Sequence, residues 1–238
     1  MDNHKQLWPT VQTFQQKIRD VDLVQSGDVQ TVEIINSSIE LDPTQPDLNF
    51  GIRKTPKKYC AKEMEWYLSQ SRNVNDITPP IPKIWLDVAD KEGIINSNYG
   101  FLIFSEDNNS QYSKVLIELI KNHTSRRAIM IYTNPFMHEQ YKKSGRNDFV
   151  CTNTHQFFIR NKKLISVVSM RSQDFIFGFF NDWWWFSWVH RNIKRDLLQI
   201  YPYGKLIDED DNGKIYFNVN SLHVYERHFS MLKEFKIL

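Results

Sequence analysis

Nine of the fifteen residues from Phe175 to Val189 (FIFGFFNDWWWFSWV) are aromatic, so a large area of ring surface must be buried somewhere. A membrane is the first place to test. Crossing a bilayer takes roughly 20 consecutive apolar residues, and this run is shorter. Asn181 and Asp182 also interrupt its middle. The run therefore predicts a buried helix, or a passage from strand into helix, within a folded core. A chain of 238 residues can enclose such a core without staples, and suits one domain over 1–238 better than two.

Other classes fall away on simple grounds. Two cysteines, Cys60 and Cys151, make no disulfide framework, which reads as an intracellular chain. The opening MDNHKQLWPT has no apolar signal core. Thirty Lys+Arg against 28 Asp+Glu leave a charge of +2, without the strongly basic footprint of a dedicated nucleic-acid binder. The histidines show no ligand spacing, so no metal is expected. None of the eight glycines falls in a phosphate-loop pattern.

Periodicity alternates between helix and strand. Val11, Phe14, Ile18 and Val21 mark an amphipathic first helix, and the β-branched run Thr31–Ile39 a strand. A Pro/Asp/Asn-rich loop spans Leu41–Pro56, a helix Tyr59–Leu68, and Thr78–Pro82 breaks the chain. Val115, Leu116, Leu119 and Ile120 predict another helix, and Arg127–Tyr132 a short strand. Gln156–Arg160 and Lys163–Met170 read as a hairpin around Asn161, with the aromatic run continuing as a helix towards Leu198. Lys214–Val219 and Leu222–Tyr225 read as two late strands, and Glu226–Phe235 as a closing helix. The mixture predicts an α+β fold, one substantial sheet covered by helices.

Several residues offer chemistry, each beside a plainer role. Cys151 reads as a buried small hydrophobe, or as a nucleophile if a cation such as Arg171 lowers its thiol pKa. Cys60 has no such neighbour in the sequence and reads as structural. Arg126, Arg127 and Arg171 suit solvent, or with Ser172 a pocket for one phosphate monoester. Asp174 and Asp182 flank an apolar run, where a carboxylate is a cap, faces water, or is paired or protonated. Glu63, beside Trp66 and Tyr67, is a surface carboxylate or an acid/base with a raised pKa.

Together these residues form a pattern. Cys151 followed by Gln156, MRSQD at 170–174 and LHVYERH at 222–228 resemble the thymidylate synthase superfamily. SRRAIMI at 125–131, EMEWY at 63–67 and KIW at 83–85 stand in the same order. GIINSNYG at 93–100, SEDN at 105–108, CTNT at 151–154 and FGFFND at 177–182 are similar to its deoxycytidylate hydroxymethylase branch, of the T-even bacteriophage type.

That resemblance implies a thymidylate synthase-like fold and a sheet-packed homodimer in which the paired arginines reach across to the other subunit. It implies Cys151 as the nucleophile at C6 of the pyrimidine of dCMP, with 5,10-methylenetetrahydrofolate as the one-carbon co-substrate. Arg126, Arg127, Arg171 and Ser172 match phosphate contacts, and His223 and Tyr225 the pair at the deoxyribose hydroxyl. Gln156 is placed with the sugar and base. Asp174, Trp85 and Tyr99 match folate-side residues, and Glu63 the glutamate that organises water. Uracil-specific relatives carry Asn eleven positions beyond the arginine, where this chain has Asp182. A protonated Asp182 would accept from cytosine N4 and donate to N3. Asn181 stands one position away, and a shift of one would select uracil instead.

Two departures stand out. Gln25-Ser26-Gly27-Asp28 lacks the arginine of the family's early phosphate loop, leaving Lys54 as a possible substitute. The ending Phe235-Lys236-Ile237-Leu238 suggests a short or missing closing tail. The expected activity is dCMP 5-hydroxymethylation in a host cytoplasm, with membership of a nucleotide-synthesis complex left open. The alternatives are a dUMP hydroxymethylase, a dCMP methylase ending in hydride transfer, and a nucleotide- or RNA-binding homologue without turnover.

Overall fold

The computed structural model describes residues 2–200 and 206–236. Helix α1 (Asn3–Arg19) is capped by Asp2, whose carboxylate accepts from the His4 amide, and buries Leu7, Val11 and Phe14. It starts about two turns earlier than its apolar stripe suggests. Val21 is no part of it, lying beyond the C-cap at φ 55° and exposed. Strands β1 (Val24–Ser26) and β2 (Val29–Leu41) make a hairpin, and β1 is too short and exposed to show a pattern.

A long loop leads to α2 (Lys57–Ser69). Short helices α3 (Lys83–Val88) and α4 (Tyr99–Phe104) and then α5 (Gln111–Lys121) precede β3 (Ile129–Ile131) and α6 (Met137–Gln140). β4 (Thr152–Arg160) and β5 (Lys163–Asp174) form the expected hairpin, turning through Asn161 and Lys162 at φ 50° and 61°. α7 (Gly178–Ile200) crosses to β6 (Lys214–Tyr225). The closing segment is a 3₁₀ turn, Glu226–His228, followed by the shorter α8 (Phe229–Lys233), instead of one helix over 226–235.

The six strands run in the order β1-β2-β6-β5-β4-β3. All pairs are antiparallel except β5–β6, whose parallel alignment α7 makes possible by returning the chain. The fold is α+β, as the mixed periodicities predict. No described helix is long and apolar enough to cross a membrane. The aromatic run instead becomes the first half of α7, burying Phe179, Phe180, Trp183, Trp185 and Phe186 over the sheet residues Phe157, Val168, Met170 and Phe217.

Alternation slips at one level across the sheet. Buried positions step by three from Met170 to Gln173 on β5 and from Val219 to Leu222 on β6, and Asn36 on β2 takes φ 58°. The strands stay in register through it, with Ser221 opposite both Ser172 and Ile35. This slip is why the sequence reads as two late strands where the fold has one. It also turns Arg171 and Gln173 at the end of β5 towards different surroundings. The tail's Ile237 and Leu238 lie outside the described residues.

Candidate active site

The end of β5, the loop before β4, and helices α2, α4 and α7 converge on Cys151. Cys151 is half-buried, and its Sγ lies 3.5 Å from Arg171 Nη2. The same guanidinium donates to the carbonyls of Val150 and Phe149, at 3.1 and 2.5 Å, and covers the Phe149 ring. Arg171 thus holds the loop that carries Cys151. Burial pushes the Cys151 thiol up to about 11, and the guanidinium opposes that shift. Cys60 is buried, with its thiol raised to about 12 by burial. Contrary to the sequence reading, it does have a cationic neighbour in Arg53, but burial outweighs it.

Glu63, on the inward face of α2, is not a surface carboxylate. It is 9% exposed, and its Oε1 accepts from Tyr59 Oη at 2.7 Å and Trp85 Nε1 at 3.2 Å. Burial raises its pKa to about 8, and a negative Asp182 raises it further while the two donors resist. Trp85 is half-buried on α3, between the exposed side chains of Ile84 and Leu86.

Asp182 is no helix cap, and its side chain is half-buried. It lies in the second turn of α7 and its Oδ2 accepts from Gln173 Nε2 at 2.8 Å. Tyr99, whose Oη accepts from Thr152 Oγ1 at 2.9 Å, also opposes a rise in the Asp182 pKa. Burial lifts that pKa to about 7 against both neighbours. Asn181 points elsewhere, its Oδ1 lying 3.8 Å from the Cys60 sulfur. Negative charge on Asp182 also raises the pKa values of Cys151, Glu63 and Tyr99, so these four groups share one electrostatic neighbourhood.

Why these segments meet is visible in the packing. Asn98 caps α4, its Oδ1 accepting from the Phe101 amide, while its Nδ2 donates to the carbonyls of Trp66 and Ser71. A Cβ on Gly100 would lie 1.7 Å from the Tyr67 carbonyl oxygen, so only glycine lets α4 sit against α2. Asp148 accepts from the amides of Asn96 and Ser97, and Arg146 pairs with Asp90 at 2.6 Å, fastening the loop before Cys151 to that turn.

His223 and Tyr225 stand edge to face on β6, with ring centres 5.0 Å apart. His223 is in register with Asp174, whose Oδ1 accepts from the Ile176 amide. Ser172, on β5, is in register with Ser221. Gln156 is not brought to Cys151. It lies five residues along β4, about 17 Å by strand rise, and its Nε2 donates to the Arg126 carbonyl. Arg126 and Arg127 are exposed at that distant end, before β3. Lys54 lines an open cleft of about 740 Å³ with Lys57, Lys58 and Tyr59, and Tyr59 links that cleft to Glu63. Gln25 and Ser26 end β1 and Gly27-Asp28 makes the turn to β2, all four exposed. Among the described residues no metal-holding group of three or more His, Cys, Asp or Glu is found.

Sequence reasoning missed Gln173. The only signal was its place inside MRSQD, because the alternation of β5 slips between Met170 and Gln173 and does not carry it to the buried face.

The thymidylate synthase family model matches residues 15–236. The deoxycytidylate 5-hydroxymethyltransferases of Enterobacteria phages T4 and T6 are each 46% identical over 210 residues, covering 88% of this chain and 82% of theirs. Thymidylate synthase 1 of Bacillus subtilis is 26% identical over 211 residues, covering 85% of this chain and 69% of its own. With a family match over nearly the whole chain and its residues converging on one cysteine, this chain belongs to the thymidylate synthase family.

Proposed function

We propose that this chain is a deoxycytidylate 5-hydroxymethyltransferase that transfers a one-carbon unit from 5,10-methylenetetrahydrofolate to C5 of dCMP, with water completing the hydroxymethyl group. The observation that carries the reading is Asp182, a half-buried carboxyl whose pKa is lifted to about 7 and which accepts a hydrogen bond from Gln173. In its neutral form one oxygen donates to cytosine N3 while the other accepts from the N4 amino group. Uracil offers the opposite pattern and leaves a buried polar group unpaired, which is costly. The two phage relatives, named for the same substrate, support this choice.

Roles for the other residues follow from chemistry. Cys151 adds to C6 and makes C5 nucleophilic, with Arg171 compensating the charge of the thiolate. Glu63, with a pKa near 8, is suited to hold water and move a proton beside the reacting carbon. The folate supplies the one-carbon unit. The half-buried Trp85, between exposed Ile84 and Leu86, offers a surface for its flat ring system, and Tyr99 and Asp174 are also assigned to the folate. His223 and Tyr225 bind the sugar, while Arg171 and Ser172 bind phosphate.

The paired Arg126 and Arg127 are exposed and far along the sheet from Cys151. They suit a role in the site of a second subunit. The sheet face away from α7 carries half-buried Phe158, Val167 and Tyr216 and is the surface we assign to a homodimer. The enzyme would act in the cytoplasm of a phage-infected cell. Incubation with dCMP and methylenetetrahydrofolate tests the reading through the product mass and the folate spectrum. Hydroxymethyl-dCMP with unoxidised tetrahydrofolate supports it. Dihydrofolate and methyl-dCMP, or turnover of dUMP alone, would replace it.

A further inference from the structure

Gln173 is 3% exposed and spends its amide donor on one oxygen, Asp182 Oδ2, at 2.8 Å. The sequence supplies a slot for it. Gly178 opens α7, and Asp182 follows four residues later on the same helix face. A Cβ at Gly178 would lie 3.3 Å from Gln173 Nε2 and 3.7 Å from Asp174 Cβ. The missing side chain is therefore what lets the amide lie flat against the helix and reach the carboxyl one turn on.

A neutral carboxyl has one donor oxygen and one acceptor oxygen, and in isolation either may carry the proton. A neighbour that only donates breaks that symmetry. While Nε2 points at Oδ2, a proton on Oδ2 would face another proton, so the acid's hydrogen belongs on Oδ1. The same orientation also suits the ionised form, so Gln173 does not have to turn when Asp182 titrates.

Resting on the function given above, we propose that Gln173, seated in the space left by Gly178, is a specificity-determining positioning residue. By keeping Oδ2 an acceptor it leaves Oδ1 as the donor, so the carboxyl presents a fixed polarity to an aminopyrimidine nucleotide. Gln173 itself touches no substrate in this account.

Equilibrium binding of dCMP and dUMP to the full-length protein, measured by calorimetry at about pH 6, separates the claims. The wild type reports on base choice. Gln173→Met keeps volume but removes the donor, and is expected to narrow the dCMP/dUMP affinity ratio about tenfold, the worth of one buried hydrogen bond to a carboxyl. Gly178→Ala crowds the amide by a few tenths of an ångström and should narrow the ratio to a smaller extent. Gln173→Glu donates only while protonated, so its ratio should approach the wild-type value in acid and drop below the wild type measured at the same pH as pH rises, a signature that mere packing would not give. If wild type prefers dCMP, the Met and Ala ratios stay within about twofold of it, and the Glu ratio tracks the wild type at every pH, the role of Gln173 is refuted while the function stands. If Met fails to fold, the Ala and Glu variants decide. A wild type without preference for dCMP overturns the assignment of Asp182 and, with it, that of Gln173.

Discussion

Arg171 Nη2 sits 3.5 Å from Cys151 Sγ while the same side chain clamps the carbonyls of Val150 and Phe149. The cation that favours the thiolate is therefore also the brace that aims it. Removing it should act on both. Arg171→Met is expected to slow alkylation of Cys151 by iodoacetamide at least tenfold at neutral pH, because the thiol, already near 11, rises further. Thiol labelling followed by mass spectrometry checks this, with Cys60, near 12 and buried, as the slower internal reference.

Glu63 receives two hydrogen bonds, from Tyr59 and Trp85, in a buried setting. Glu63→Gln preserves its shape and should bind dCMP with little change, yet turn over 10²–10⁴-fold more slowly, the usual worth of a positioned acid or base. Single-turnover kinetics beside calorimetric binding distinguish the two effects.

Burial lifts the Asp182 pKa to about 7, and the base recognition proposed above needs its protonated form. Affinity for dCMP should be flat below that value and fall up to tenfold per pH unit above it. Asp182→Asn has no such limb and should swing preference towards dUMP by roughly a hundredfold, about 3 kcal/mol. Comparing the two proteins at each pH cancels the nucleotide's own phosphate ionisation.

A prediction about stability comes from under the sheet. Ser166 Oγ bridges His155 Nε2 at 3.0 Å and His190 Nδ1 at 2.9 Å, and all three side chains are fully buried. Burial keeps both imidazoles neutral, His190 down to about 3 and His155 well below its usual value. The unfolded chain binds protons that the folded one refuses, so this contribution is complete above about pH 6.5 and is lost as pH falls towards the folded values. Thermal unfolding should show stability dropping by about 1.4 kcal/mol per pH unit for each histidine below that point. His190→Gln should lessen the slope.

Much of this was legible in the sequence. The alternation of Leu164, Ser166, Val168 and Met170 shows β5 plainly, because one face is core and the other is not. The motifs around Cys151, Arg171 and Asp182 mark the residues that do meet. Helices α3 and α4 were not legible: each has six residues, too few for a 3.6-residue period to register, and α3 buries none of them. The single strand β6 read as two because its alternation slips near Asn220. Gln156 shared a motif with Cys151 but lies about 17 Å along β4 from it, since five residues of extended backbone span that distance. The arrest of Gln173 against Asp182 needed three dimensions, because it depends on a side chain that Gly178 lacks.

Release of tritium from C5-labelled dCMP in the presence of methylenetetrahydrofolate reports directly on thiol addition followed by substitution at C5. The wild type should release it, Cys151→Ser should not, and labelled dUMP should be a poor competitor. Undiminished release by Cys151→Ser, or faster release from dUMP than from dCMP, would contradict the account.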